Sequence, residues 1–333
     1  MSSVVVVSSY PPRHCGIGAY ARTQVDRLRD EGHRVTVISP TDGDGDVRVP
    51  FFGGRPFREA ARRGSHADRI VVHFQPGLYY RPRAPLSKIA TSLGLLWLCR
   101  HRDRTEVLVH EADPPKRWRP DYALLGAAFR AAPVLLFHTA AERDHLERAY
   151  GVRVRARLVP HIEGITVHSR LSREEARARL GLPAEGRVLV TPGFLHPDKG
   201  IERAIEAVRD VATGRLYVVG SVKDVTPRNQ AYASRLRELA AEVPGVELRE
   251  RYLEDDQFDT WIAAADAVVL PYWRSWSSGA LARAQALGVT VIVTDVGGLG
   301  EQAGPRDVVA RDDDGLRAAI AEALAGRASE ARR

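Results

Sequence analysis

Lys199 stands in the stretch "PGFLHPDKGIERAIEAV". An apolar run ends there, a loop carries Gly193, His196, Lys199 and Gly200, and Ile201, Ala204, Ile205 and Val208 then recur at helical spacing. A lysine in such a strand-loop-helix unit reaches an anion held at the next helix N-terminus, where free N–H groups and the positive dipole end favour phosphate. The plainer alternative is a surface lysine ahead of a glycine. A second turn of the same kind is "PYWRSWSSGALARAQALG", residues 271–288, which carries two tryptophans, Arg274, Ser278, Gly279, Ala280 and Arg283, and no acid. Guanidinium, hydroxyl and helix-terminal N–H groups suit phosphate. "CGIGAYAR" sets Gly16, Ile17 and Gly18 at the head of a helix whose apolar stripe is Ile17, Ala21, Val25 and Leu28. Glycines there let backbone approach a ligand closely, although the third glycine and following acid of a dinucleotide fingerprint are missing. "TDVGGLGE" adds a glycine-rich turn followed by Glu301, and His73, His110, His138 and His161 each follow an apolar run. One such histidine is usually structural, but four suggest a polar cleft, without zinc-type spacing. Neither a Gly-x-Ser-x-Gly elbow nor a Walker loop is present, which excludes the serine-hydrolase and P-loop readings.

The elements that must position these residues alternate. Apolar runs "SVVVVSS", "RVTVIS", "DRIVVHF", "EVLVHE" and "PVLLFHT", then "RVLVTPG", "RLYVVGS", "VELRERY", "DAVVLPY" and "VTVIVTD", are separated by helical patterns. Unbroken Val/Leu/Ile runs are strands buried on both faces, so the chain reads as doubly wound α/β with parallel sheets. Ligands then belong beyond the strands' C-terminal ends. A capping box, Ser172 with Glu175, starts a new helix after the first series. The domain boundary is expected near residues 163–171, giving units 1–165 and 166–333, with a loose "TDGDGD" loop and a frayed "RASEARR" end.

With 333 residues, two cores are the default, because one core rarely grows past about 250–300 residues. Charged residues at 27% and apolar ones at 44% are ordinary for a globular chain, and no window approaches the roughly 20 apolar residues of a membrane span. The N-terminus has neither the basic flank nor the cleavage site of a signal peptide, so a cytoplasmic location is expected. Two cysteines, Cys15 and Cys99, are too few for a disulfide framework or a four-ligand zinc site. The net charge of +7 comes from arginine clusters in "GGRPFREAARRG", "CRHRDR" and "PPKRWRP". These fit anionic partners or simply a solvated basic face. "PLSKIATSLGLLWLCRHR", with Leu93, Leu96 and Trp97 between basic ends, fits a packed domain helix better than a peripheral membrane contact.

Taken in order, "YPPRHCGIGAYARTQVDRLRDEGHRVTVIS", "GFLHPDKG", "AAADAVVLPY" and "SGALARAQALGVTVIVTDVGGLGE" resemble family four, the large group of retaining, nucleotide-sugar-dependent glycosyltransferases with the GT-B fold. The resemblance runs from residue 3 to about residue 325. It implies two Rossmann-like domains facing across a cleft, with acceptor mostly on the first and nucleotide sugar on the second. Lys199 then resembles the lysine that contacts the donor diphosphate and steadies the leaving phosphate, an electrostatic role. His196 stands where relatives usually carry arginine. His110 resembles the histidine that lies against the transferred sugar, completing a catalytic set of Lys199, His110 and His196. Gly16, Ile17 and Gly18 resemble the loop that closes on diphosphate and acceptor. Gly193, Arg274, Ser278, Gly279 and Ala280 fall in the donor loops, Arg251, Tyr252 and Leu253 where backbone cradles the nucleobase, and Glu301 after the glycine pair.

The resemblance also exposes departures. Most members carry two glutamates with seven residues between them, and Ser275 and Arg283 stand at those positions. The sequence fits a subset with "PYR-S-x-x-x-SG" instead, which leaves ribose recognition and the identity of the nucleotide open. A last helix crossing back to the first domain is also expected of relatives, whereas the chain ends soon after "GLRAAIAEALAG". The implied reaction moves a sugar to a hydroxyl of a small acceptor (a sugar, a cyclitol or a phosphorylated compound) with retention, needing no metal and no cofactor beyond the nucleotide sugar. Two rivals are a GT-B enzyme of another kind, such as a pseudo-glycosyltransferase or a sugar-nucleotide epimerase, and a non-catalytic anion- or nucleic-acid-binding module. No RNA-binding signature supports the last, and no nucleic-acid partner is expected. No motif speaks to the oligomeric state.

Overall fold

Val4 to Val7 lie in register with two parallel neighbours, Val35–Ile38 on one side and Arg69–Val72 on the other, and all four are buried. A strand paired at both edges and covered on both faces is apolar throughout, which is why its sequence does not alternate. The computed structural model describes residues 1–112, 114–116, 118–209, 211, 214–222 and 226–326. The "RASEARR" end, and Lys223 and Asp224 of the "GSVKD" rim, lie outside the described residues. The chain divides into two compact units, Met1–Gly164 and Ile165–Arg333. Each is a Rossmann-like α/β unit on a parallel sheet.

Unit 1 runs β1 (Ser3–Val7), α1 (Gly16–Asp30), β2 (Arg34–Ser39), β3 (Val47–Arg48), α2 (Arg55–Arg63), β4 (Arg69–Phe74), α3 (Pro76–Tyr79), α4 (Pro85–His101), β5 (Thr105–Val109), α5 (Pro120–Ala131), β6 (Val134–Phe137), α6 (Ala140–Tyr150) and β7 (Ala156–Leu158). Its strand order, β3-β2-β1-β4-β5-β6-β7, reverses between β1 and β4. Helix α1 packs Tyr20, Ala21, Gln24, Val25 and Leu28 inward, whereas Ile17 is only half-buried. Gly18, not Ile17, meets the exit of β1: a Cβ there would lie 3.4 Å from the Tyr10 nitrogen. Helix α4 packs on α5 and α2 through Leu95, Leu98 and Cys99, and its outer side leaves Leu86, Leu93 and Trp97 exposed. No helix among the described residues is long and apolar enough to cross a membrane.

Unit 2 runs α7 (Arg173–Leu180), β8 (Val188–Pro192), α8 (Ile201–Val208), β9 (Arg215–Gly220), α9 (Pro227–Glu242), β10 (Val246–Glu250), α10 (Asp255–Ala264), β11 (Ala267–Leu270), α11 (Gly279–Ala286), β12 (Val291–Thr294), α12 (Leu299–Gln302), β13 (Val308–Ala310) and α13 (Asp313–Ala325). The capping box of Ser172 and Glu175 opens α7, both halves of it formed. Arg177 and Asp266, both buried and 2.7 Å apart, pin α7 to the start of β8, whose Val188 N–H donates to the same carboxylate. The strand order, β10-β9-β8-β11-β12-β13, reverses between β8 and β11. In open parallel sheets such a reversal splays the following loops apart and leaves a crevice at the C-terminal strand ends. "PGFLHPDKG" follows β8 and "WRSWSSG" follows β11, so the two suspected anion turns flank the reversal of unit 2.

Candidate functional site

The loop after β8 is built to hold Lys199 still. Gly193 (φ +125°) and Leu195 donate backbone N–H to Val219 and Ser221 carbonyls, so the loop rides along the end of β9. His196 then caps a single 3-10 turn, Pro197–Lys199, its Nδ1 accepting from the Asp198 N–H at 3.2 Å. That bond needs an unprotonated Nδ1, so a cationic His196 would have to give up the cap. Gly200 is left-handed (φ +55°), and a Cβ there would lie 2.3 Å from the Pro271 carbonyl oxygen. Only glycine lets the DKG turn sit this close to the end of β11. The Lys199 ammonium lies 3.7 Å from the centroid of the buried Tyr272 ring, a cation–π contact, with no carboxylate in ion-pair range among the described residues.

The second turn locks onto the first. Trp273 and Arg274 donate backbone N–H to the Asp198 carbonyl, and Trp273 is clamped by the Arg203 guanidinium, 3.9 Å from its ring, and by Glu202, which accepts from its Nε1 at 2.7 Å. Arg203 also donates to the Pro271 and Tyr272 carbonyls, so one arginine fixes both ends of this corner. Arg274 is exposed and makes no ion pair among the described residues. Ser278 caps α11: its hydroxyl accepts from Leu281 N–H, and its main chain exchanges two 2.8 Å hydrogen bonds with the Gln302 side chain. Ser278 is buried, and its hydroxyl positions the start of α11. The first two N–H groups of α11, on Gly279 and Ala280, have no partner among the described residues. These N–H groups, Lys199 and Arg274 stand on the two loops that flank the reversal of unit 2, where a helix N-terminus favours an anion.

Ser275 and Arg283, the two positions at which the resemblance leads one to expect glutamate, are both engaged within unit 2. The Ser275 hydroxyl donates to the Ser277 carbonyl, and its own carbonyl packs on Gly297. Arg283 turns inward to α10, with Nη atoms 3.0 Å from Asp255 and Nε 2.8 Å from Asp259, a fully buried carboxylate. Asp259 also accepts N–H groups from His168 and Ser169, so Arg283 helps anchor the first residues of unit 2. Burial raises the pKa of Asp259, and Arg283 opposes that shift. Beyond β10, Arg251 N–H bonds the Gly220 carbonyl, Leu253 is buried, and Tyr252 stands exposed with its ring 6.5 Å from that of Phe194. The structure therefore brings Tyr252 to the Gly193 loop. Glu301 lies exposed on α12.

Unit 1 answers with a different chemistry. His73 ends β4, His110 and His138 follow β5 and β6, and His161 follows β7; all four rings lie 5.4–5.7 Å from the ring of Tyr20, on α1. His73 bonds His110 (Nδ1 to Nε2, 3.0 Å) and Gln24 (Nε2 to Oε1, 3.0 Å), while His138 donates from Nδ1 to the Val159 carbonyl and stacks on His161 at 4.1 Å. Burial drives all four pKa values down, His73 to about 3, His138 to about 4, His110 and His161 well below the ordinary value. Burial also raises Tyr20 to about 12, so the cluster is neutral near pH 7. Among the described residues no three metal-ligating side chains are arranged to hold an ion. His110 is only half-buried and lies at the rim. Gly16 opens α1, and a Cβ there would meet nothing within 4 Å.

Tyr20 and Gln24 are invisible to motif reading, yet Gln24 is a polar residue on the inward stripe of α1, one position before Val25. A polar side chain on an apolar stripe must find a buried partner, and that rule points to Gln24. The basic clusters of unit 1 are partly answered internally: Arg62 and Arg63 pair with Glu59, Arg104 with Asp68, and Arg119 with Asp121.

Residues 186–326 match the family model described as Glycosyl transferases group 1. The chain is 30% identical over 198 residues to a D-inositol 3-phosphate glycosyltransferase of Streptomyces bingchenggensis, 56% of this chain and 42% of that protein. It is 31% identical over 226 residues to D-inositol 3-phosphate glycosyltransferase 1 of Catenulispora acidiphila, 65% of this chain and 51% of that one. The chain thus spans about half the length of these relatives. Among solved structures, the sucrose-phosphate synthase of Thermosynechococcus elongatus superposes with a TM-score of 0.73 at 20% identity, covering 98% of this chain and 91% of that one. Anabaena HepE in complex with UDP and glucose gives 0.70 at 15% identity, covering 100% and 94%. The fold is that of these GT-B proteins.

Proposed function

We propose that this chain is a glycosyltransferase that moves a sugar from a nucleotide-diphosphate sugar to a hydroxyl of a small sugar- or cyclitol-phosphate acceptor, retaining the anomeric configuration. The observation that carries the reading is the reversal of unit 2, whose two flanking loops carry Lys199, Arg274 and the open Gly279 and Ala280 N–H groups in a segment matched by the glycosyltransferase family model. In the reaction the bond between the anomeric carbon and the diphosphate oxygen breaks, the acceptor oxygen bonds that carbon on the same face, and the hydroxyl proton leaves with the diphosphate. Charge builds on the departing diphosphate, and fixed positive groups beside it stabilise that charge without reorganising. Lys199 is assigned to the diphosphate, the α11 N-terminus and Arg274 to its oxygens, Tyr252 to the base side, and Gly16 to Gly18 with His110 to acceptor and sugar. With Ser275 and Arg283 engaged inside the protein, ribose recognition is assigned to main-chain groups.

A thermal-shift screen against UDP, GDP, ADP and dTDP, followed by product analysis with the matching nucleotide glucose and D-inositol 3-phosphate, tests the reading. Stabilisation by one nucleoside diphosphate and a glycosylated inositol phosphate with the donor's anomeric configuration are expected. A changed nucleotide sugar formed without acceptor would point to an epimerase instead. Salt-sensitive DNA or RNA binding with no nucleotide stabilisation would overturn the enzyme reading.

A further inference from the structure

His110 is held by a chain of hydrogen bonds whose direction can be followed atom by atom. The Gln24 Oε1 can only accept, so His73 Nε2, 3.0 Å away, carries a proton. His73 is fully buried and neutral, so its other nitrogen, Nδ1, is a bare acceptor. His110 Nε2, 3.0 Å from that Nδ1, must then be the donor. A neutral His110 with its proton on Nε2 has a lone pair on Nδ1, and this atom has no hydrogen-bond partner among the described residues. Nothing else in the cluster competes for the relay: the His138 Nδ1 proton goes to the Val159 carbonyl.

We propose that Gln24 and His73 are positioning residues that fix the tautomer of His110, leaving its Nδ1 as an acceptor at the rim of unit 1, so that the rim selects a hydroxyl donor, such as a sugar or cyclitol hydroxyl, over a carbonyl or phosphate oxygen. The substrate part rests on the transferase reading above; the tautomer part does not. A reversed relay, with the Gln24 amide turned end for end, would put a proton on His110 Nδ1 and select the opposite class of ligand.

Long-range proton–nitrogen correlation spectra of the full chain labelled with nitrogen-15 in histidine, assigned with a His110→Gln variant, read the tautomer directly. In the wild-type protein a protonated Nε2 and an unprotonated Nδ1 on His110 are expected; a proton on Nδ1, or a mixture of tautomers, overturns the proposal before any variant is needed. His73→Leu removes the acceptor and should turn the single tautomer of His110 into a mixture. His73→Asn keeps an oxygen near the place of Nδ1 and should preserve it. With UDP-glucose and D-inositol 3-phosphate, His73→Leu should lower kcat/KM at least tenfold, the scale of one lost hydrogen bond, and His73→Asn should recover most of it. An unchanged His110 spectrum in a folded His73→Leu protein overturns the relay. The spectra require no substrate, so absence of turnover with any nucleotide sugar would count against the transferase reading alone.

Discussion

The two sheet reversals of this chain have the same topology and opposite chemistry. In unit 1 the C-terminal strand ends are filled by Tyr20 and four imidazoles, neutral and packed ring against ring. In unit 2 the loops flanking the reversal carry Lys199, Arg274 and open helix N–H groups, with the nearby acid Glu202 tied to Trp273. A fold of this kind supplies a crevice and helix N-termini whatever its sequence. The side chains decide whether that crevice is neutral or positively charged. Unit 2 also draws one of its arginines into its scaffold: Arg283 pairs with Asp255 and the buried Asp259.

The strongest test of that last point places at position 283 the glutamate that the resemblance leads one to expect. Arg283→Glu would leave the buried Asp259 without its cation and add a third carboxylate beside Asp255. A destabilisation of about 3–5 kcal/mol is expected from breaking such a pair, measured by urea unfolding. Unchanged stability with tighter nucleotide binding would show instead that position 283 faces the ligand. Next in size, Lys199→Ala should lower kcat with nucleotide sugar by roughly 10² or more, the loss typical of one fixed group facing developing charge, while leaving the fold intact. Turnover like that of the wild type would move the positive pole of unit 2 elsewhere.

How much of this was legible in the sequence depends on how local the cause is. The long strands were readable because burial on both faces leaves unbroken apolar runs, as in β1, β4 and β8. The short edge strands β3 and β7 were not: Ala156 to Leu158 are exposed, so no pattern marks them. "DKG" was legible because a glycine, a lysine and a helix start are neighbours in the chain. The role of Arg283 was not, since its partners sit on α10, and nothing near position 283 announces them. Ser278 carries a second role that its position announces: a serine directly before a helix is an N-cap, and its hydroxyl accepts the Leu281 N–H here. The histidine cluster was half legible. Four strand ends each offered a histidine, but only folding shows that Tyr20 stands among them.

The neutrality of that cluster predicts an acid sensitivity confined to unit 1. His73 and His138 titrate in the folded protein at about 3 and 4, against an ordinary value near 6.5, so between those limits the unfolded chain binds more protons. Their contribution to stability is therefore full above about pH 6.5 and is lost as pH falls toward the folded values. Between pH 7.5 and pH 5 most carboxylates stay ionised, and the ion pairs of unit 2 should hold. Hydrogen exchange should accordingly speed up in β4, β5 and β6 and change far less in β8 and β11. Equal loss of protection in both units would remove the electrostatic half of the comparison.

The smallest effect expected is at Gly16, and its size is informative. A Cβ at Gly16 meets no protein atom within 4 Å, whereas one at Gly200 would lie 2.3 Å from the Pro271 carbonyl oxygen at a left-handed backbone position. Gly200 is thus explained by the protein itself, and Gly16 is not. If the space over Gly16 belongs to a substrate, Gly16→Ala should leave stability within about 0.5 kcal/mol, as an uncrowded surface change does, yet raise KM for acceptor or donor. Gly200→Ala should do the converse, lowering stability first, because strain and contact act before any ligand arrives. A Gly16→Ala protein with unchanged stability and unchanged KM would mean that no substrate uses the open space at the head of α1, and the acceptor would have to be sought around His110 alone.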